Sequence, residues 1–385
     1  MKRLLVGAMC AALLGAACGG PDDQPAAPEG TATGPAGTGS PTSPPTTGTA
    51  GTPTGECADV ISGLSTRERL AQLLVVGVPP GDPEAAVATV REHQLGGVFI
   101  GGNATALFTG DALSRMQEAT DLPVSVAVDD EGGRVQRLDD LVGDIPSARE
   151  MARTMSPDEV RELARERGEQ MREYGVTVDY APVLDLTEGA AGGVIGDRSF
   201  GADPQTATEY ALAFSEGLAE AGIRPVVKHF PGHGRADGDS HQELVTTPPL
   251  DELRERDLVP YESLGEFPAD TGVMVGHLNV PGLTDGEPAS VSAPAYELLR
   301  QDYSFDGVVL TDDLGAMRAI SDRYPLPEAV LRALQAGADR PLWSSGGDVG
   351  PVLDRLERAV ADGELSTETV TESLNRVLSD KGVCG

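Results

Sequence analysis

The sequence has 385 residues, enough for one large domain or two ordinary ones. Its 61 acidic and 29 basic residues give a formal net charge of -32. Such a field repels nucleic acid and anionic membrane surfaces, so polyanion partners are excluded. Aromatic residues make up only 4%, and any core has to be assembled mainly from Val, Leu, Ile and Ala.

The chain opens on Lys2 and Arg3, followed by an apolar run over residues 4–14 and small residues up to Cys18. The run is too short to span a bilayer and has the flanks of a signal peptide, expected to cover residues 1–17. Leu14-Gly15-Ala16-Ala17-Cys18 resembles a bacterial lipobox, which implies lipidation of Cys18. Gly15 departs from that pattern, since a larger aliphatic residue is usual there, and plain secretory cleavage is the alternative. Residues 19–55 are almost entirely Gly, Pro, Thr, Ser and Ala. Such a stretch cannot bury a core, so residues 18–56 are expected to form a lipidated cysteine and a disordered tether. The folded domain is expected over residues 57–385. Membrane contact would come only through the anchor, at the outer face of the cytoplasmic membrane. Cys57 and Cys384 are left at the two ends of the domain. An oxidising compartment favours a disulfide between them, with two free thiols as the alternative.

From there, short apolar runs alternate with amphipathic stretches. Strands are expected over 73–78, 97–101, 124–129, 176–184, 225–230, 273–277, 307–312 and 338–343. Each run is bounded by Gly, Pro or charge and most are rich in Val, as buried parallel strands are. Helical spacing of apolar residues marks 159–174, 206–221, 325–336 and 367–378. Eight strands alternating with helices predict an α/β fold, a single (β/α)8 TIM barrel. An open doubly wound sheet is the runner-up. It lacks support because Val76-Gly77-Val78-Pro79-Pro80-Gly81 has the wrong glycine spacing for a dinucleotide turn.

Barrel enzymes place their chemistry at the C-terminal ends of the strands. Here the third strand ends in Asp129, with Asp130-Glu131-Gly132-Gly133-Arg134 after it. The fifth carries Lys228-His229, the sixth Gly276-His277 and the seventh Thr311-Asp312-Asp313. Ionisable groups at the ends of buried strands are costly unless used. After the fifth strand an irregular loop, Phe230-Pro231-Gly232-His233-Gly234, leads to Asp239-Ser240-His241. A carboxylate two residues from an imidazole can orient it and raise its basicity, the layout of a general acid/base. Asp312, on another strand, is free to be a nucleophile. His277 and His233 have structural readings as a bonded barrel histidine and a loop pin. Asp313 reads as a cap or ion-pair partner, and Arg134 as the partner of a nearby carboxylate.

The loop from Lys228 to His241, Val128-Asp129-Asp130-Glu131-Gly132-Gly133-Arg134-Val135-Gln136-Arg137-Leu138, Gly196-Asp197-Arg198-Ser199-Phe200-Gly201 and Leu310-Thr311-Asp312-Asp313-Leu314 together resemble glycoside hydrolase family three, in its bacterial β-N-acetylglucosaminidase branch. The resemblance runs from the second strand to the seventh. It implies Asp312 as nucleophile, His241 as acid/base with Asp239 as its partner, and Asp129, Arg137, Arg198, Lys228 and His229 as sugar-binding groups. It implies hydrolysis of terminal β-linked N-acetylglucosamine with retention, with muropeptide fragments as substrate given the envelope location. Asp130 stands where the family usually has Gln, adding a negative charge beside Asp129, and Thr311 stands in place of Ser.

A His–Asp dyad in place of a second carboxyl puts less negative charge near an incoming anion, so phosphorolysis on the same site is one alternative. A catalytically inactive glycan-binding lipoprotein is another. No cofactor is implied. His229 and His233 have a metal-like spacing, but Pro231-Gly232 keeps them off a shared helical face, and no metal site is expected. The oligomeric state is left open, with a monomer as the simplest expectation.

Overall fold

The computed structural model describes residues 57–347 and 349–384. The expected signal segment, Cys18 and the tether lie outside the described residues. Eight parallel strands close into a barrel in chain order: β1 Val75–Gly77, β2 Gly97–Phe99, β3 Ser125–Val128, β4 Val178–Asp179, β5 Arg224–Phe230, β6 Gly272–Val275, β7 Val309–Asp313 and β8 Arg340–Trp343. Closure is direct, with Val75 in register with Gly97 on one side and with Leu342 on the other.

Alternation along each strand divides the apolar residues into two cores. Val75, Phe99, Ala127, Val178, Val226, Met274, Leu310 and Leu342 point inward and fill the barrel, where Phe99 stacks on Tyr180 with ring centroids 5.6 Å apart. Val76, Val98, Val126, Val227, Val273 and Val309 belong to the larger core shared with the helices. Both faces are therefore dry, which is why the strands read as continuous apolar runs.

The helices start where their caps put them. Pro157–Glu173 begins at Ser156, whose hydroxyl accepts from the Glu159 N–H while the Glu159 carboxylate reaches back, a capping box. Pro204–Glu220 begins at Asp203, which accepts from the Thr206 N–H. Two prolines in the first turn extend these helices a little beyond the apolar spacing.

The fourth strand differs most from expectation. A run over 176–184 is replaced by the two-residue strand Val178–Asp179. Pro182 has no N–H to give to a ladder, so the segment leaves regular pairing. It still follows β5, through the Leu184 N–H to the Lys228 carbonyl at 2.7 Å and an isolated Val183–Lys228 bridge. This irregular extension brings Asp185 to the barrel mouth.

At the other end, Cys57 and Cys384 are joined in a disulfide with their Cα atoms 5.4 Å apart, and 327 residues separate them in sequence. In the chain-entropy view so long a loop stabilises the fold by up to about 5 kcal/mol. Reduction under native conditions should therefore lower the thermal midpoint. Mass spectrometry of unreduced peptides checks the bridge directly, and two alkylatable thiols in the folded protein would refute it.

Candidate active site

The strand ends surround a cavity of about 640 Å³, lined by Asp129, Glu131, Arg134, Arg137, Arg198, Lys228, His229, His241 and Asp312 among others. That is a usual size for a small-molecule site. All the candidate sugar-binding residues and both candidate reacting groups, Asp312 and His241, line this one cavity.

Asp312 sits at the end of β7. Its Oδ1 accepts the Asp313 N–H at 2.8 Å, and among the described residues Oδ2 has no hydrogen-bond partner. Burial alone would push its pKa up, but His229, His277 and the Asp313 N–H outweigh it and hold the pKa at about 2. The group is an ionised carboxylate with one uncommitted oxygen, as a nucleophile requires.

The dyad stands on the loop after β5. His241 Nδ1 donates to Asp239 Oδ1 at 2.9 Å, which leaves Nε2 to exchange a proton with substrate. The same oxygen accepts the His241 backbone N–H at 3.0 Å, and Gln242 donates to the other at 3.1 Å. Burial raises the Asp239 pKa, but these three donors prevail and keep it below the ordinary carboxylate value. The His241 side chain is 64% exposed, at the rim of the cavity.

The loop is fixed at several points. Val245–Thr246 pairs with Leu278–Asn279, tying it to the chain after β6. The carbonyls of Ser240 and His241 accept from Ala319 and Arg318. Gly234 packs so tightly against the Leu186 backbone that a side-chain carbon there would overlap it.

The floor is a charge network. Lys228 Nζ donates to Asp129 and to Glu131, each at 2.6 Å. Arg198 grips Glu131 with two parallel bonds of 2.7 and 2.8 Å. Burial works against Lys228 being charged, but Asp129 and Glu131 prevail and raise its pKa above the ordinary value. Burial likewise opposes ionisation of Glu131, and Arg198 and Lys228 reverse it, so its carboxyl stays far below the usual range. Arg137 approaches Asp129 only to 3.9 Å.

Glu131 gives a testable stability term. Glu131→Gln leaves the buried Lys228 and Arg198 charges undercompensated, so it should cost about 3–5 kcal/mol in chemical denaturation. The sign in pH follows from the depressed folded pKa. The term is present above the unfolded carboxyl pKa, about 4.3, and is lost as pH falls through the folded value. The Gln variant should lack that part of the acid dependence.

One side chain differs from the sequence reading. Asp130 does not add charge beside the sugar site. Successive strand residues face opposite ways, and Asp130 turns into the wall, where Arg167 binds it at 3.0 and 3.1 Å and the Arg137 and Leu138 N–H groups donate to it. Arg198 commits Nε and Nη2 to Glu131 and donates from Nη1 to the Val194 carbonyl at 3.3 Å, while still lining the cavity. Asp313 makes no ion pair among the described residues. It caps the following turn through Gly315 and Ala316 and accepts from Ser344.

The other histidines have the structural roles read for them. His277 donates from Nε2 to the Asp313 carbonyl at 2.8 Å and accepts from the Ser290 hydroxyl at 2.6 Å. Burial lowers its pKa, against the pull of the nearby Asp312 carboxylate. His233 meets Ser240 at 3.0 Å.

Asp185, which the sequence reading missed, is fully buried and accepts from His229 Nδ1 and from the His233 N–H, both at 2.6 Å. It orients His229 against the cavity and fixes the start of the loop that carries Asp239 and His241. Glu131, which lies within the Asp129–Leu138 motif, anchors Lys228 and Arg198 on the floor.

Residues 65–379 match the family described as Glycosyl hydrolase family 3 N terminal domain. The chain belongs to glycoside hydrolase family three. It is 52% identical over 334 residues to beta-hexosaminidase LpqI of Mycobacterium tuberculosis, covering 85% of each chain. The solved structure of M. tuberculosis LpqI superposes with a TM-score of 0.82 at 53% identity, over 85% of this chain and 97% of that one. A family-three β-N-acetylglucosaminidase from Paenibacillus sp. superposes with a TM-score of 0.75 at 29% identity, over 83% of this chain and 62% of that one. The protein is thus a glycoside hydrolase on a (β/α)8 barrel, and oligosaccharides are its class of substrate.

Proposed function

We propose that this hydrolase is a retaining β-N-acetylglucosaminidase that releases terminal β-linked N-acetylglucosamine from peptidoglycan fragments. The observation that carries the reading is the presence on one cavity of an ionised Asp312 and an Asp239-oriented His241, above a floor of Asp129, Lys228 and His229. The names of the similar proteins, a beta-hexosaminidase and a β-N-acetylglucosaminidase, support the choice of sugar.

In the first step an Asp312 oxygen attacks the anomeric carbon. The glycosidic C–O bond breaks, and the leaving oxygen takes a proton from His241. In the second step water attacks the same carbon, gives its proton to the now neutral His241, and displaces Asp312. Two inversions give net retention. Asp129 accepts from sugar hydroxyls, and Lys228 and His229 donate to them.

Product analysis on N-acetylglucosaminyl-N-acetylmuramic acid, with and without phosphate, tests this. Free N-acetylglucosamine is expected in both. A sugar 1-phosphate would mark a phosphorylase on the same site, and failure to cleave would leave a glycan-binding protein.

The envelope assignment rests on the small residues before Cys18 and the tether behind it. Cys18 should carry lipid, and Cys18→Ala should move the protein from the membrane fraction to the medium. A mature N-terminus beyond Cys18 would refute the anchor.

A further inference from the structure

The cations of the cavity differ in depth. Lys228 and Arg198 are 2% and 13% exposed and engaged with Asp129 and Glu131 on the floor. Arg134 is 37% exposed and His241 64%, and both line the cavity above that floor. His241 protonates the oxygen of the departing group, so the aglycone must lie on this outer side. The floor belongs to the sugar that is cleaved, and the rim belongs to what leaves.

Arg134 is only partly used by the protein. Its Nε meets Asp197 at 3.1 Å, and Nη2 donates to the carbonyls of Gly193, Val194 and Ile195 at 2.7, 3.0 and 3.0 Å. Among the described residues Nη1 donates to nothing. Those contacts hold the guanidinium in place, so its remaining donor is presented without a further entropic cost. Its neighbours on the cavity lining, Val135, Val194 and Ile195, are apolar. A charge beside apolar surface is less well screened than one in open water. The chain as a whole carries -32 and repels an anionic substrate, so an anion can be held only by a local cation.

We infer that Arg134 is the specificity residue for an anionic aglycone, meeting the free carboxylate of an acid-bearing sugar while His241 protonates the departing oxygen. This rests on the reading that N-acetylglucosamine is the sugar cleaved, and deepens it. The lactyl ether of N-acetylmuramic acid supplies such a carboxylate. A neutral aglycone, or one whose carboxyl is tied up as an amide, does not.

The test compares N-acetylglucosaminyl-N-acetylmuramic acid with its lactyl primary amide, which differs only in that charge, and a neutral nitrophenyl N-acetylglucosaminide serves as control. The wild-type enzyme should prefer the acid over the amide by about 10-fold in kcat/KM, the range of one charge-assisted hydrogen bond. The preference should shrink as salt is added. Arg134→Gln should abolish it, with the acid losing about 10-fold more than the amide, and Arg134→Lys should restore part of it. Equal rates for acid and amide in the wild type would overturn the inference without any variant. So would an equal loss on both in Arg134→Gln, which would make Arg134 a clamp for the 193–197 loop and nothing more. Failure of the neutral control in the wild type would instead overturn the assignment of N-acetylglucosamine.

Discussion

Asp312→Ala should reduce turnover on every substrate by on the order of 10⁴-fold or more, the range seen when a reacting group is removed. The loss should not depend on the leaving group. Without the carboxylate no glycosyl-enzyme can form, however easily the aglycone departs. Mass spectrometry after rapid quenching should find the wild-type protein carrying one sugar on Asp312 and the variant carrying none. Azide sharpens the test. In the space left by the deleted carboxylate it can attack the anomeric carbon once, so the product should be the inverted α-glycosyl azide. A β-azide from Asp312→Ala would mean that another group is the nucleophile. The pH dependence should agree. With its pKa held at about 2, Asp312 is already ionised at mildly acidic pH. The acid limb of kcat/KM should therefore not report its titration, and a limb near the ordinary carboxyl value would contradict its environment.

The barrel was legible because its strands are buried on both faces and so stand out as Val-rich runs. The rule that strand ends carry chemistry picked out Asp129, Lys228, His229 and Asp312, which all line the one cavity. Asp185 obeys the same rule. It follows the expected fourth strand directly, but Pro182 breaks that strand before its polar end. Asp130 differs from expectation although strand alternation alone turns it away from Asp129. Glu131 is a different case. Its partners Arg198 and Lys228 lie 67 and 97 residues further on, and nothing in a single sequence says which distant charges will meet in a barrel. Pairings across the mouth come from closure, and periodicity does not encode them.

His241→Ala should divide substrates by leaving group, which Asp312→Ala should not. On a natural disaccharide the departing alkoxide needs its proton, and loss of the general acid should cost about 10²–10⁴-fold. A nitrophenyl glycoside departs with little protonation, so its first step should be largely spared. Water attack still lacks a base, and the glycosyl-Asp312 intermediate should accumulate as a burst followed by slow release. Azide is already an anion and needs no base. It should restore the second step and give a β-glycosyl azide, because attack on the intermediate is the second of two inversions. The stereochemistry of the adduct is thus opposite in the two variants, which separates their roles without reference to absolute rates. Asp239→Asn should fall between wild type and His241→Ala, since the imidazole is still present but has lost the carboxylate that holds Nδ1 at 2.9 Å. Wild-type-like rates in Asp239→Asn would detach Asp239 from catalysis. An equal loss on good and poor leaving groups in His241→Ala, or an inverted adduct there, would show that His241 is not the acid/base.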